Sequence, residues 1–575
     1  MARRLLPALG ALAALLGAAS PAAAATCDRT WNGSVSSSWS VAENWTPAGV
    51  PASTENVCVP AVAATDEVLV DGGGQAASIT GDEPVHVNRG TLRVATGRLG
   101  SLLVDGGVLQ VDGQELLVDG TLDIRGGSFD GAGTLAVAPG ASMTVTGAPG
   151  FASLTVDVRG DGAWTSALPG NPNMRAGARL LVTGTMDFAA DDGTTMIDSS
   201  CCWDTQPRIV VAPGGVATRS VPGQMDFFVP FEVDGDLAPA AGELRLRAGL
   251  AGGSSGSVGG AGMVDIAGGS SGTLEAGATI AGRVELTGGT TRLALGATIT
   301  GTPEGRLDVA GGNLTGDGGL DLLGTLVLSG GELSGTGATT VGNLEITGSP
   351  ALHDRAVLTT GGGKWTSSGT ASVPIMTGTA AINIGGTFDI QATDGSYLED
   401  YRFGYWTNSP VVRALPGGTI TRTVPGEAGS DIPFEVDGAI APSVGELRLA
   451  AGLRDTSTGR FGGTGLVTIA GGSSGVIGDG AQVTGNLKVA GGTTTLAGTV
   501  TGTADGVLEV AGGTLTGAGD VDLAGGLTLS GGDFTGSGTA RAVNLDLHDA
   551  PFIFDRTVEV TGTGAWTGEN SVPTI

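Results

Sequence analysis

Only two lysines, Lys364 and Lys488, and three histidines occur among 575 residues, and the formal net charge is −29. Such a surface repels phosphate backbones and anionic lipid within the screening length, which excludes nucleic acid as a partner. The acidic charge is spread thinly, without runs, as suits a large soluble object. Aromatic residues are 4 % and charged residues 15 % of the chain, unlike an ordinary enzyme. Beyond residue 25 no apolar stretch approaches the ~20 residues of a membrane-spanning helix.

What is abundant is glycine, with 106 residues and no collagen-type triplet. That level fits either disorder or a fold that turns every few residues. Disorder is excluded by a chain that is 40 % hydrophobic with positive mean hydropathy. Valine, leucine, isoleucine and threonine recur between the glycines, which predicts many short strands. Residues 1–25 read as a signal peptide cleaved near Ala25: Arg3 and Arg4 precede an apolar run and an alanine-rich end. Export makes a Cys27–Cys58 disulfide the expected pairing. Cys201 and Cys202 are adjacent. They are open to a vicinal disulfide, a reduced pair or a soft-metal site, and no nearby ligand completes a zinc set.

The chain repeats on two scales. Trp164, Trp365 and Trp566 lie in "GDGAWTS", "GGGKWTS" and "GTGAWTG", 201 residues apart. "PFEVDG", "GELRL" and "IAGGSSG" recur in the same order. Inside this long unit, double glycines begin at Gly268, Gly288, Gly311 and Gly330, and again at Gly471, Gly491, Gly512 and Gly531. Between them stand triplets such as Val284-Glu285-Leu286, Leu307-Asp308-Val309, Leu487-Lys488-Val489 and Leu508-Glu509-Val510. A period of two points the aliphatics to one face and the charge to the other. Coils of about 20 residues with short strands and glycine turns predict an all-β fold, a β-solenoid or parallel β-helix of roughly 20–25 coils. Antiparallel sandwiches would lack the coil-length period.

Residues 26–62 are expected to form an N-terminal cap closed by the disulfide, because an open stack end invites further pairing. Their order is Trp31-x-Gly33, a serine-rich stretch with Trp39, Glu43-Asn44-Trp45, then Gly49-x-Pro51. It resembles the start of secreted bacterial parallel β-helix surface proteins, adhesin-like or autotransporter-passenger-like. The resemblance covers about 35 residues and implies a cell-surface or secreted solenoid, without implying an activity. The solenoid is expected over 63–575, in long units of about 63–165, 166–366 and 367–575. "SVPTI" at 571–575 matches "SVPIM" at Ser372–Met376, so the sequence is expected to stop within a repeat.

No catalytic set is legible. His86, His353 and His548 have no partner arguable from the sequence; Phe554 stands in the next unit where His353 stands in the first. Asp191-Asp192 becomes Thr393-Asp394, which reads as turn chemistry before glycine rather than as a paired-carboxylate or Ca²⁺ site. The recurring tryptophans read as packing residues in preference to sugar-stacking platforms. No metal and no cofactor are expected.

One stretch breaks the rhythm. "SYLEDYRFGYW", Ser396–Trp406, holds all three tyrosines, and the previous unit has "SSCCW" in its place. The frame persists and the insert varies, as binding loops on repeat scaffolds do. Tyr397, Tyr401, Phe403, Tyr405, Trp406 and Trp203 are therefore the candidate contact residues, with a small core for the loop as the competing reading. The expected function is a non-catalytic, secreted or bacterial cell-surface rod, adhesin-like or structural, with a glycan or protein ligand as its partner. The alternatives are a β-helix polysaccharide lyase or glycoside hydrolase, and an ice- or mineral-binding solenoid with threonines in register, as "GGTTTLAGTVTGT" suggests.

Overall fold

In the computed structural model the described residues are 26–165, 170–200, 205–269, 272–366, 373–400, 409–472 and 475–567. They form a right-through parallel β-solenoid of about 24 turns with coils of about 20 residues. Leu244, Val264, Val284, Leu307, Leu326 and Leu344 stack in register from coil to coil. All six are buried. Each buried aliphatic contributes about 1.5–3 kcal/mol, and together they make one continuous core along the stack. The four triplets read from the sequence behave as the period of two requires: their aliphatics are buried, and Glu285, Asp308, Lys488 and Glu509 stand half-exposed outside.

The double glycines have a steric cause. A Cβ on Gly268 would lie 2.0 Å from the carbonyl oxygen of Arg247, and one on Gly288 2.5 Å from that of Ala267, each in the preceding coil. Turns stacked this closely leave no room for a side chain.

The start of the stack is covered. Arg29–Trp31 pairs in parallel with Asn56–Cys58 on one side and antiparallel with Trp45–Thr46 on the other. Trp31, Trp39 and Trp45 are buried edge-to-face, with ring centroids 5.0 and 4.7 Å apart. Cys27 and Cys58 form the expected disulfide. Asn44 explains the Glu-Asn-Trp sequence: its Oδ1 accepts the N–H groups of Val35 and Ser36, and its Nδ2 donates to the Ser38 carbonyl. The serine-rich stretch is thereby held against the first coil.

Two coils are longer than the rest. Thr185 pairs with Val216, and Thr387 with Thr419, so the inserts of the two full-length units, 166–366 (hereafter the first unit) and 367–575 (the second unit), occupy equivalent places in the stack.

Candidate functional site

Trp203, Cys201, Cys202, Tyr401, Phe403, Tyr405 and Trp406 lie outside the described residues. Tyr397 is described, on the strand Ser396–Asp400 that opens the insert. Its hydroxyl donates to Glu427 Oε1 at 2.9 Å. Burial, with help from Glu427, pushes the phenol up, so it stays a neutral donor at pH 7. The ring lies over Gly429, its neighbour in the next coil; a Cβ there would stand 2.3 Å from the tyrosine ring. In the previous unit Thr195 faces Asp226 at the same rung. A small residue facing a large one has thus been exchanged for a large one facing glycine.

Beneath this rung the two units pack differently. Phe188, Phe227 and Phe231 form an edge-to-face group, with Phe227 5.0 Å from both neighbours. The next unit has Ile390, Ser430 and Phe434 there, and Ala428 in place of Met225. A cavity of about 30 Å³ results, lined among others by Trp365, Phe388, Ile390, Leu398, Ala428 and Ser430. Ala428→Met restores the first unit's residue. It is expected to raise stability by about 1 kcal/mol, read as a shift of the thermal or urea transition.

The base of each insert is held by an arginine that sequence reasoning missed. Arg422 is fully buried. Its Nη1 donates to the carbonyls of Ile390 and Ala392 at 3.2 and 2.8 Å, its Nη2 to Pro425 at 2.8 Å and its Nε to Gly426 at 3.1 Å. Arg219 repeats the arrangement on Phe188, Ala190, Pro222 and Gly223. Each guanidinium ties the chain just before the insert to the turn one coil later. A second pair acts elsewhere. Arg355 reaches Gly316, Gly318, Ser334 and the Thr339 hydroxyl, and Arg556 reaches Gly517, Gly519 and Thr535. Burial lowers Arg355 to about 10, against a smaller opposing pull from Asp317, so it remains charged at pH 7. Carbonyl dipoles solvate the charge in place of a carboxylate. The available signal was that "TRSVPG" and "TRTVPG", and "HDRAV" and "FDRTV", keep arginine while their neighbours change.

Trp164 and Trp365 are 1 % and 3 % exposed and pack in the core; Trp566, on the last described strand, is 59 % exposed. The three histidines do have partners: His86 lies 3.1 Å from Glu67, His353 3.0 Å from Asp354 and His548 2.9 Å from Asp546. Register sets Leu69 of the previous coil opposite His86 and so brings Glu67, two residues earlier, within reach, which linear reading does not reveal. Asp192 and Asp394 each accept a backbone N–H, from Gln224 and Glu427, at 2.6 Å. No group of three metal-ligating side chains occurs among the described residues. Threonines of "GGTTTLAGTVTGT" pair in register as Thr493–Thr514 and Thr495–Thr516, but Asp533 follows Thr514 and Asp522 faces Thr501; elsewhere Thr279 and Thr300 bond at 3.2 Å between Ser257 and Asp321.

The outward rungs also differ between units. Asp226, Arg245, Asp265, Glu285 and Asp308 stand in one ladder; the corresponding residues are Gly429, Arg448, Thr468, Lys488 and Glu509. Burial, then Asp308 and Asp265, push the Glu285 carboxyl up. A raised carboxyl contributes stability that is present below its unfolded value and lost as pH rises through the folded one. Glu285→Gln is therefore expected to raise the melting temperature at pH 7 and to lose that advantage near pH 4, as paired melts at the two pH values would read.

A polar groove of about 370 Å³ runs along the rod in the second unit. Its floor is the column Gly418, Gly438 and Gly459. A Cβ on Gly438 would lie 2.2 Å from the Gly418 oxygen, and one on Gly459 2.2 Å from the Gly438 oxygen. One rim carries Thr419, Ala439, Arg460 and Gln482 in register, and Asp437 and Thr458 line the other.

Fold and surface together define a β-solenoid with a regular interior and unit-specific outer rungs. A scan against protein-family models matches none, and comparison with curated proteins and with solved structures finds no match. No helix among the described residues is long and apolar enough to cross a membrane.

Proposed function

We propose that the chain is an exported, non-catalytic rod of a bacterial surface, adhesin-like or scaffolding, whose outer positions make the contacts. The observation that carries this reading is the contrast between the two long units. The coil register and the buried arginines are kept and most inward positions stay apolar, while the insert, several rungs of the outer ladder and the groove rim exchange polar or charged residues. A scaffold under a recognition role keeps its frame and varies its outside. The segment 1–25 and the Trp-rich start, with their resemblance to secreted β-helix surface proteins, support export to the surface.

Binding of the purified chain to glycan arrays and immobilised matrix proteins tests the insert. Tyr397/Tyr401/Tyr405→Ala is expected to weaken binding at least tenfold. Equal binding by both proteins would remove the insert from the contact surface.

The acidic ladder favours a second reading, a polysaccharide lyase or glycoside hydrolase, because Glu285 with a raised carboxyl stands between Asp265 and Asp308. Turnover of pectin-like or alginate-like polymers that is abolished by Glu285→Gln would replace the scaffold reading with this one.

A further inference from the structure

The groove of the second unit has a chemistry of its own. Its floor is backbone, since the stacked glycines present Cα and carbonyl groups without side chains. It follows the rod axis, crossing one coil every ~4.8 Å, close to the length of one pyranose in an extended chain. Its volume lies in the range of ligand sites. Arg460 is the one basic residue lining it, is exposed, and carries no ion pair among the described residues. The neighbouring carboxylate, Asp437, already accepts the Thr458 hydroxyl at 2.8 Å. The net charge of −29 repels a polyanion at long range, so any attraction is local to the Arg460 guanidinium, with Asp437 the one carboxylate of the lining.

The first unit supplies an internal comparison. Its corresponding rim reads Val216, Asp236, Ser257 and Thr279. Ser257 stands where the second unit has Arg460, and Asp236 where it has Ala439. The frame is shared and the rim has gained a cation and lost an acid.

We infer that this groove binds an extended acidic polysaccharide along the rod, with a uronate carboxylate on Arg460. A planar guanidinium fork pairs bidentately with a carboxylate. Thr419 and Gln482 offer hydrogen bonds to ring hydroxyls on the same rim. The inference rests on the adhesin-like reading and names a ligand class for a second part of the same surface.

Oligogalacturonate and oligoalginate are the probes, with dextran oligomers as neutral controls, titrated calorimetrically into the whole chain. Uronate oligomers are expected to bind, with affinity falling as salt rises, and dextran is not. Arg460→Ser, which installs the residue that the first unit carries, is expected to weaken uronate binding at least tenfold at unchanged melting temperature. Arg460→Lys keeps the charge without the fork and is expected to recover only part of the affinity. Asp236→Ala/Ser257→Arg is expected to add a second site. Unchanged uronate affinity in Arg460→Ser, or no uronate binding by the natural chain, overturns the groove assignment. If that chain still binds neutral glycans or matrix proteins on the arrays, the adhesin-like reading stands without the groove; if it binds nothing, both fall.

Discussion

Arg422→Met is expected to destabilise the coil beneath the second insert by about 3 kcal/mol or more. Methionine fills much of the same volume but leaves the carbonyls of Ile390, Ala392, Pro425 and Gly426 without the guanidinium donors they now have. An unsatisfied buried acceptor costs about 1–3 kcal/mol; the Gly426 carbonyl keeps the Glu446 N–H at 2.9 Å, so the loss falls on those of Ile390, Ala392 and Pro425. In a solenoid each coil contacts only its neighbours, so the damage stays local before it propagates. Hydrogen exchange should therefore accelerate first around residues 390–400 and 420–426, and the urea transition should move to lower concentration. Arg422→Lys restores a charge but not the four-way fork, and is expected to recover a minor part. Wild-type exchange in Arg422→Met would mean that the guanidinium does not tie the insert to the stack.

Gly438→Ala is expected to be nearly as damaging, at about 2–4 kcal/mol. The added methyl meets the carbonyl oxygens of Gly418 and Leu415 at 2.2 and 2.3 Å, and both are backbone of the preceding coil's turn, which cannot swing aside as a side chain could. Gly417 is the contrasting case. It has φ +89° and open space around it, so Gly417→Ala meets only left-handed backbone strain, about 1–2 kcal/mol. Unfolding of the two variants should rank them in that order. A reversed order would place strain, rather than the closeness of successive coils, as the reason for glycine at this corner.

The interior of this fold is legible in the sequence because two simple signals coincide. Triplets such as Leu487-Lys488-Val489 give the period of two, and the double glycines give the coil length. The cap is legible through its cysteines and tryptophans. The arginines are not, because Arg219 and Arg422 sit in turn-like text, between threonine and a Ser/Thr-Val-Pro-Gly run, where an arginine reads as an exposed side chain. Only the comparison of units betrays them. The groove and the cavity are hidden for another reason. They arise from residues about 20 apart, Thr419, Ala439, Arg460 and Gln482 in one case, and from substitutions such as Phe227 by Ser430 in the other. Each becomes meaningful once register places it. Of the candidate insert residues, Tyr397 is the one whose surroundings are described, and it is half-committed to the stack through Glu427 and Gly429.

The account rests on one continuous stack whose outer surface changes from unit to unit. Small-angle X-ray scattering of the whole chain tests that continuity most directly. About 24 coils at ~4.8 Å each give a rod on the order of 115 Å long, with a radius of gyration of roughly 35 Å and a constant cross-section. A compact chain of this length would have a radius of gyration of roughly 25 Å. The rod values are the predicted result; a globular profile, or separate compact bodies with a varying cross-section, would contradict it.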